Sequence, residues 1–291
     1  MPTREARLAT VARRHLPPAV AERWTSLIRP GVRLRVRDGG RQVGHLGGEP
    51  LLPADVAWPE WEGEGSLNFV ASIDCGRLPA NSVDIALPDS GTLLFFYYDP
   101  ESAYLDNTPH RPPTVGAWDP ETQAGARVLY VPADAEVVEH DTPLDIEPYD
   151  YAPLVATVEA TGPDWYHPEF RALCRDLSED DLDFLDDHRN GNDFARALRS
   201  LRSHPSHQVG GHALPIQNPA ETDVAQSELG PGVAWESVVE EARRWTLLAQ
   251  IDSDQEADLR WGDVGTLYWL IRPEDLAARD FGAARFTWQC G

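Results

Sequence analysis

Lysine is absent from this chain. All 25 basic residues are arginine, set against 48 Asp and Glu, for a formal net charge of −23 and a pI near 4.6. Such a chain lacks the net basic face that a phosphate backbone requires, and an anionic membrane surface would repel it. No apolar run approaches the ~18 residues that cross a bilayer. The opening MPTREARLATVARRH lacks the apolar stretch of a secretory signal. Cysteine is scarce: Cys75, Cys174 and Cys290 are too few and too scattered for a disulfide framework or a Cys-x-x-Cys metal site. Their pattern predicts reduced thiols in a cytoplasmic protein. Catalytic signatures are missing as well. There is no G-x-S-x-G, and Gly47-Gly48 leads into Glu49-Pro50 without the Lys, Ser/Thr or helix start of a phosphate loop. No cofactor and no metal are predicted.

Apolar residues make up 42% of the 291, enough to bury a core in one large domain or two medium ones. The charge is uneven. Residues 1–45 hold ten arginines against Glu5, Glu22 and Asp38, a local +7 that leaves −30 for the remainder. Neutralisation of this basic segment against the acidic body is the expected arrangement.

Apolar spacing predicts a helix over residues 3–15 and a second from Pro18 to about Pro30-Gly31. Val32, Leu34 and Val36 then alternate with Arg33, Arg35 and Arg37, which reads as a strand with one charged face. The Pro- and Trp-rich stretch 44–65 reads as an ordered loop pinned by Trp58 and Trp61. Strands are predicted over 67–73, 91–98, 126–131 and 155–159, the second of them apolar on both faces and so central. Ser178 and the acids after it start a helix that Asn190-Gly191 should end, with Asn192 or Asp193 capping the next.

The last third parallels the first. HQVGGHALPIQ (207–217) matches GHLGGEPLLP (44–53), LLAQID (247–252) matches FVASID (69–74), and GTLYWLIRPED (265–275) matches GTLLFFYYDPE (91–101), in the same order. The reading is an internal duplication of one sheet-forming unit, with helices inserted between the copies.

Candidate ligand-binding residues follow from this pattern. Asp74 and Asp252 occupy equivalent positions, and two carboxylates brought into one cleft could do acid–base work. His45, His207 and His212 flank the Gly-Gly pairs, where imidazoles either serve a site or hydrogen-bond backbone carbonyls. His204 and His207 form an H-x-x-H pair, too few ligands for zinc. Asp252 to Asp263 superficially resembles a calcium loop, but Ala257 stands where the turn needs Gly and Asp263 where the bidentate Glu belongs. The expectation there is an exposed turn closed by Asp252. Loop tryptophans, among them Trp58, Trp61, Trp118, Trp235 and Trp261, either plug an irregular core or anchor a partner. Cys174 reads as a buried inert thiol.

The ordered set GGEPLLPADVAWPEWEGEG, SLNFVASID and GTLLFFYYD, then HQVGGHALPIQ, WGDxGxLYW and DFGAARFTWQC, resembles the YwqG-like bacterial family of unknown function over roughly residues 30–100 and 205–290. The resemblance implies an α+β fold of two similar, mostly antiparallel sheet units, with no reaction or catalytic residues to carry over. The expectation is a single domain: a basic helical segment with the first strand over 1–42, a first sheet unit over 43–160, a helical insertion over 161–205 and a second sheet unit over 206–291. Functionally, the sequence points to a cytoplasmic, non-enzymatic binding protein whose acidic field steers a basic protein partner, such as a toxin or nuclease, or which takes a small molecule. The alternative is a hydrolase or small-ligand enzyme with an Asp/His cleft between the halves.

Overall fold

A computed structural model describes residues 3–37, 39–79, 83–101, 113–116 and 119–291. Two helices, α1 (Arg4–His15) and α2 (Pro18–Ser26), precede strand β1 (Arg29–Val36). The first series of strands is β2 (Gln42–Leu46), β3 (Leu51–Pro53), β4 (Glu60–Trp61), β5 (Gly65–Ser66), β6 (Asn68–Asp74), β7 (Thr92–Tyr97), β8 (Ala126–Val131), β9 (Val137–Glu139) and β10 (Ala152–Thr161). Helices α3 (Pro168–Leu173), α4 (Glu179–Asp186) and α5 (His188–Arg199) follow. The chain continues through β11 (Gln208–Val209), α6 (Ala220–Leu229), α7 (Trp235–Ala242), β12 (Thr246–Asp252), β13 (Thr266–Ile271), α8 (Pro273–Ala277) and β14 (Arg285–Gln289).

Where the sequence predicts two sheet units, the strands run on into one ten-stranded sheet in the order β14-β13-β12-β11-β1-β10-β2-β6-β7-β8. Every pairing among the described residues is antiparallel. The units merge because β1 and β10 pair without interruption from Arg29↔Thr161 to Val36↔Leu154, leaving no edge between them. The sheet curls until its ends nearly meet. The Gln123 side chain brackets the Phe286 backbone with two 2.9 Å hydrogen bonds, and Tyr97 stacks on Phe286 at 4.9 Å. Alternation along the strands sends Ile73, Leu93, Phe95, Ile251 and Trp269 into the enclosed core. Their neighbours Leu94 and Phe96 face the 52–69 segment, while Tyr268 and Leu270 face α6 and α7. A separate core holds α1 to α5 around Trp24, whose ring nitrogen donates to the Pro163 carbonyl at 3.0 Å. Among the described residues no helix is long and apolar enough to cross a membrane.

Several local expectations are corrected. Helix α2 stops at Ser26 and β1 begins at Arg29, ahead of the Pro30-Gly31 boundary. The predicted charged face of β1 fails at Arg33, which is buried and whose Nη2 donates to the Ser203 and Pro205 carbonyls and to the Ser206 hydroxyl. Residues 44–46, assigned to a loop, belong to β2 inside the sheet. Asn190-Gly191 does not end a helix. Helix α4 ends at Asp186, Asp187 caps α5 through a 2.9 Å bond from the Arg189 N–H, and Gly191 lies within α5. Glycine is there because the Trp165 ring leaves no room: a Cβ would stand 2.6 Å from its Nε1.

Charge is neutralised internally at several points of the N-terminal segment. Arg4 and Arg35 share Glu159, at 3.4 and 2.8 Å, Arg29 meets Asp84 at 2.9 Å, and Arg23 meets Asp176 at 3.2 Å. Beneath them lies a buried polar knot. The turn Gly210-Gly211, at φ 61° and 69°, is a left-handed bend that glycine accepts without penalty. It delivers His212, whose Nε2 donates to the Leu27 carbonyl at 2.7 Å. Nδ1 of His212 lies 3.4 Å from His167, which faces Glu221 at 3.6 Å. Burial holds His212 well below its ordinary pKa, and His167 and Arg29 add to that effect. Burial also opposes charging both His167 and Glu221, but their mutual attraction outweighs it, with Asp164 helping the imidazole and Arg29 the carboxylate. His167 is therefore raised and Glu221 lowered.

Two outcomes follow. In an ordinary helix, Gly→Ala stabilises by up to ~1 kcal/mol. Gly191→Ala should instead destabilise by about 1–3 kcal/mol in urea unfolding, because Trp165 must move. Glu221→Gln should cost about 3 kcal/mol at pH 6, where both members of the pair are ionised. The His167 contribution is complete below pH 6.5 and is lost as pH rises through its raised folded value. The wild-type minus Glu221→Gln difference in unfolding free energy should therefore be smaller at pH 8.5 than at pH 6.

Candidate functional site

The buried Arg33 organises the segment that carries the site. Its four contacts hold residues 203–206, between α5 and β11, against the sheet. Burial lowers its pKa to about 10, leaving it cationic. The Ser206 N–H then donates to Asp252 Oδ2 at 2.7 Å, and His204 Nδ1 lies 3.2 Å from the same oxygen. The other carboxylate oxygen accepts from the Thr266 hydroxyl at 2.8 Å, across the β12–β13 register. Asp252 is thus fixed by two donors and buried, while the His204 ring is 70% exposed. A carboxylate at Nδ1 places the proton on that nitrogen and leaves Nε2 as a free acceptor.

A cavity of about 360 Å³ opens here, lined by Arg199, Arg202, His204, Asp252 and Thr266, with Leu214, Pro215, Ile216 and Val264 as its apolar wall. Arg202 is half-buried and its pKa is lowered, chiefly by that burial. Among the described residues, no carboxylate pairs with the guanidinium of Arg199 or Arg202. Val264 at the mouth is exposed and sits at φ 51°, a left-handed conformation that a β-branched side chain rarely adopts.

The sequence-selected residues are distributed over several places. Asp252 lies in this cavity. His207, one turn of chain away, is fully buried: its Nδ1 accepts from the Asp252 N–H at 3.1 Å and its Nε2 donates to Asp254 at 2.9 Å. It is Asp254, not Asp252, that closes the following turn, through the Glu256 N–H at 2.9 Å. The reason is that Ser206 and Thr266 already occupy Asp252. His45 and Asp74 line a different cavity of about 400 Å³ with Ser72 and Thr92. There the His45 Nδ1 meets the Gly47 carbonyl at 2.8 Å, and Asp74 caps a turn through the Arg77 N–H and ion-pairs with its guanidinium, both at 3.2 Å. Asp74 and Asp252 therefore do not share a cleft. His212 belongs to the buried knot. Asp263 is exposed, and its carbonyl accepts from the Gly291 N–H at 3.0 Å.

Trp261 is buried edge-on against Tyr97 and Tyr149. Trp58 and Trp61 pack edge-on against Phe96 and Tyr98. Trp235 is exposed, and Trp118 lies outside the described residues. Burial raises the Cys75 and Cys174 thiols to about 12 and about 11. Among the described residues no group of three or more His, Cys, Asp or Glu is placed to hold a metal ion.

Arg199, Arg202 and Arg33 were missed in the sequence. One signal could have found the first two: residues 194–220 contain no Asp or Glu, in a body whose net charge is −30, and this acid-free stretch holds Arg199, Arg202 and His204.

No curated protein matches the chain. One family model does, over residues 44–290, which takes in most of β2, all of β3 to β14 and the whole of the cavity beside Asp252 while leaving α1, α2 and β1 outside. The chain belongs to that family, a domain of unknown function, DUF1963.

Proposed function

We propose that this chain binds a small anionic ligand in the cavity beside His204 and Asp252. One observation carries the reading. In a protein of net charge −23, two arginines face one cavity, and among the described residues neither has a carboxylate within ion-pair distance, Asp164 acting on Arg202 only from beyond it. A half-buried guanidinium with no counter-ion in contact is costly, and an incoming carboxylate or phosphate supplies that contact with bidentate geometry. The apolar wall of Leu214, Pro215 and Ile216 suits an organic ligand rather than a bare ion. The acidic surface elsewhere would attract a basic protein from a distance, but the cavity offers an anion both attraction and a fitted seat.

Part of this reading is that the chain is an internally duplicated, YwqG-like bacterial protein working in the cytoplasm, its three cysteines free. What supports duplication is the strand order. Outward from β1 it runs β11, β12, β13, β14, and outward from β10 it runs β2, β6, β7, β8. The register shifts at Leu247/Ala249 in one series and at Phe69/Ala71 in the other. Asp252 pairs with Thr266 as Asp74 pairs with Thr92. In this scheme the His45 cavity is the counterpart of the His204 cavity. Only the latter keeps unpaired arginines, so the ligand is assigned to the second half alone.

Calorimetric titration with inorganic phosphate and with succinate should show binding that weakens with added salt. Arg202→Gln should weaken it by about tenfold or more, the range for a hydrogen bond to a charged group. Arg244→Gln, which alters an exposed arginine already paired with Glu241 and Glu274, should leave it unchanged. Equal affinity in wild type and Arg202→Gln would remove the basis of the reading.

A further inference from the structure

The same cavity holds a proton carrier beside its two arginines. We propose that the chain hydrolyses an anionic carboxylic ester there, with His204 as general base and then general acid, and Asp252 as the residue that positions it. This rests on the anion-binding reading and adds a reaction to it.

Three features of the site bear on this. The first is the order of the hydrogen bonds. Asp252 is locked by Ser206 and Thr266 and presents its carboxylate to His204 Nδ1, so Nε2 stays free of protein contacts on an exposed ring. That is the base-and-orienter arrangement of acyl-transfer sites. The same His–carboxylate pairing at His207–Asp254 lacks this property, because both of its ring nitrogens are occupied and the ring is sealed from solvent. The second is strain. Val264 holds a left-handed backbone while its side chain is exposed, and such outliers collect at working sites. The third is the supply of cations: Arg202 lies deeper and Arg199 at the exposed rim.

The class of reaction follows from what the cavity offers. The Ser206 hydroxyl donates to the Ser203 carbonyl and the Thr266 hydroxyl to Asp252, so neither is a free nucleophile and water must serve. His204 is the lining side chain with a free, exchangeable nitrogen, since arginines keep their protons. In-line phosphoryl transfer places attacking and leaving oxygens on opposite sides of phosphorus, out of reach of one imidazole. Addition to a carbonyl lets the same imidazole take a proton and return it.

The step balances. Water oxygen bonds to the ester carbonyl carbon while its proton passes to His204 Nε2, and the C=O π pair moves onto oxygen. The Arg202 guanidinium stabilises that oxyanion, and Arg199 holds the substrate's own carboxylate. Collapse re-forms the C=O, breaks the bond to the leaving oxygen, and sends the proton from Nε2 to the departing alcohol. Asp252 remains ionised throughout and stabilises the transient imidazolium.

The test uses the full chain and three probes: mono-4-nitrophenyl succinate, 4-nitrophenyl acetate and 4-nitrophenyl phosphate, with nitrophenolate release measured. Saturable turnover should favour the succinate ester. His204→Gln, at an exposed position that leaves the fold intact, should lower kcat by about 10²-fold or more. His204→Gly should recover part of the rate when imidazole is added, which a structural role would not produce. Asp252→Asn should lower kcat with little change in KM. Succinate binding that depends on Arg202, together with no ester turnover above buffer or with turnover indifferent to His204→Gln, overturns hydrolysis and leaves anion binding standing. Cleavage of the phosphate ester alone overturns the acyl assignment. Loss of succinate and phosphate binding altogether overturns both readings.

Discussion

The antiparallel seam between β1 and β10 is the contact from which the rest of the molecule is built. It joins a strand from the first 40 residues to one beyond residue 150, and every other strand of the main sheet is added outward from one side of it or the other. Because the seam is continuous, the two series share one sheet and one enclosed core. The seam also sets Arg33 in place. Side chains alternate across a strand, so once Val32 and Leu34 face the core, Arg33 must face outward, towards whatever covers the sheet. What covers it is the segment 203–206, whose carbonyls and hydroxyls receive the guanidinium. A buried arginine ringed by neutral acceptors holds that segment without requiring a carboxylate. Asp252 is thereby left to Ser206 and His204. The geometry of the cavity is a downstream consequence of strand pairing far from it.

A net charge of −23 suggests a uniformly acidic surface, yet the arginines are unevenly employed. Arg4 and Arg35 converge on Glu159, Arg29 is held by Asp84, and Arg33 is held by backbone oxygens. These residues serve the fold, which weakens any reading of the N-terminal segment as a nucleic-acid arm. Among the described residues Arg199 and Arg202, at and just beyond the end of α5, have no carboxylate in contact, whereas Arg196 pairs with Asp193. Local charge balance, rather than the total, separates structural arginines from those open to a ligand.

Regular elements were legible in the sequence where local chemistry and packing agree. The apolar run 91–98 became the doubly paired β7, and residues 126–131 form β8 with the predicted ends. Ser178 caps α4 through the Asp181 N–H, as its neighbours imply. Legibility ended where a distant residue overrode a local signal. Asn190-Gly191 carries the chemistry of a helix end, but Asp187 opens α5 first and the Trp165 ring makes glycine a packing requirement. Arg33, Arg35 and Arg37 look alike in sequence, and only the path of residues 203–206 distinguishes the first. The site was half legible for the same reason. Asp252 could be picked out from repetition, while His204 and Arg202 have no counterpart in the first third and acquire meaning only through the cavity they line.

The ends of β6 and β12 differ in how their aspartates are answered. Asp74 and Asp252 stand at the same point of their strands, each opposite a threonine. Asp74 is answered within three residues by Arg77, which satisfies the carboxylate locally and leaves it facing a turn. Asp252 has no arginine at that spacing. It is followed by Ser253, Asp254 and Gln255, and Asp254 takes over closure of the turn with His207 behind it. With the turn closed by another residue, Asp252 can accept from a segment on a neighbouring strand connection and orient its histidine. The difference that matters is therefore which aspartate closes the turn: Asp74 itself after β6, and Asp254 rather than Asp252 after β12. It frees a buried carboxylate to act on a side chain that meets solvent, and it predicts that a positioning role at the Asp74 end would first require the loss of Arg77.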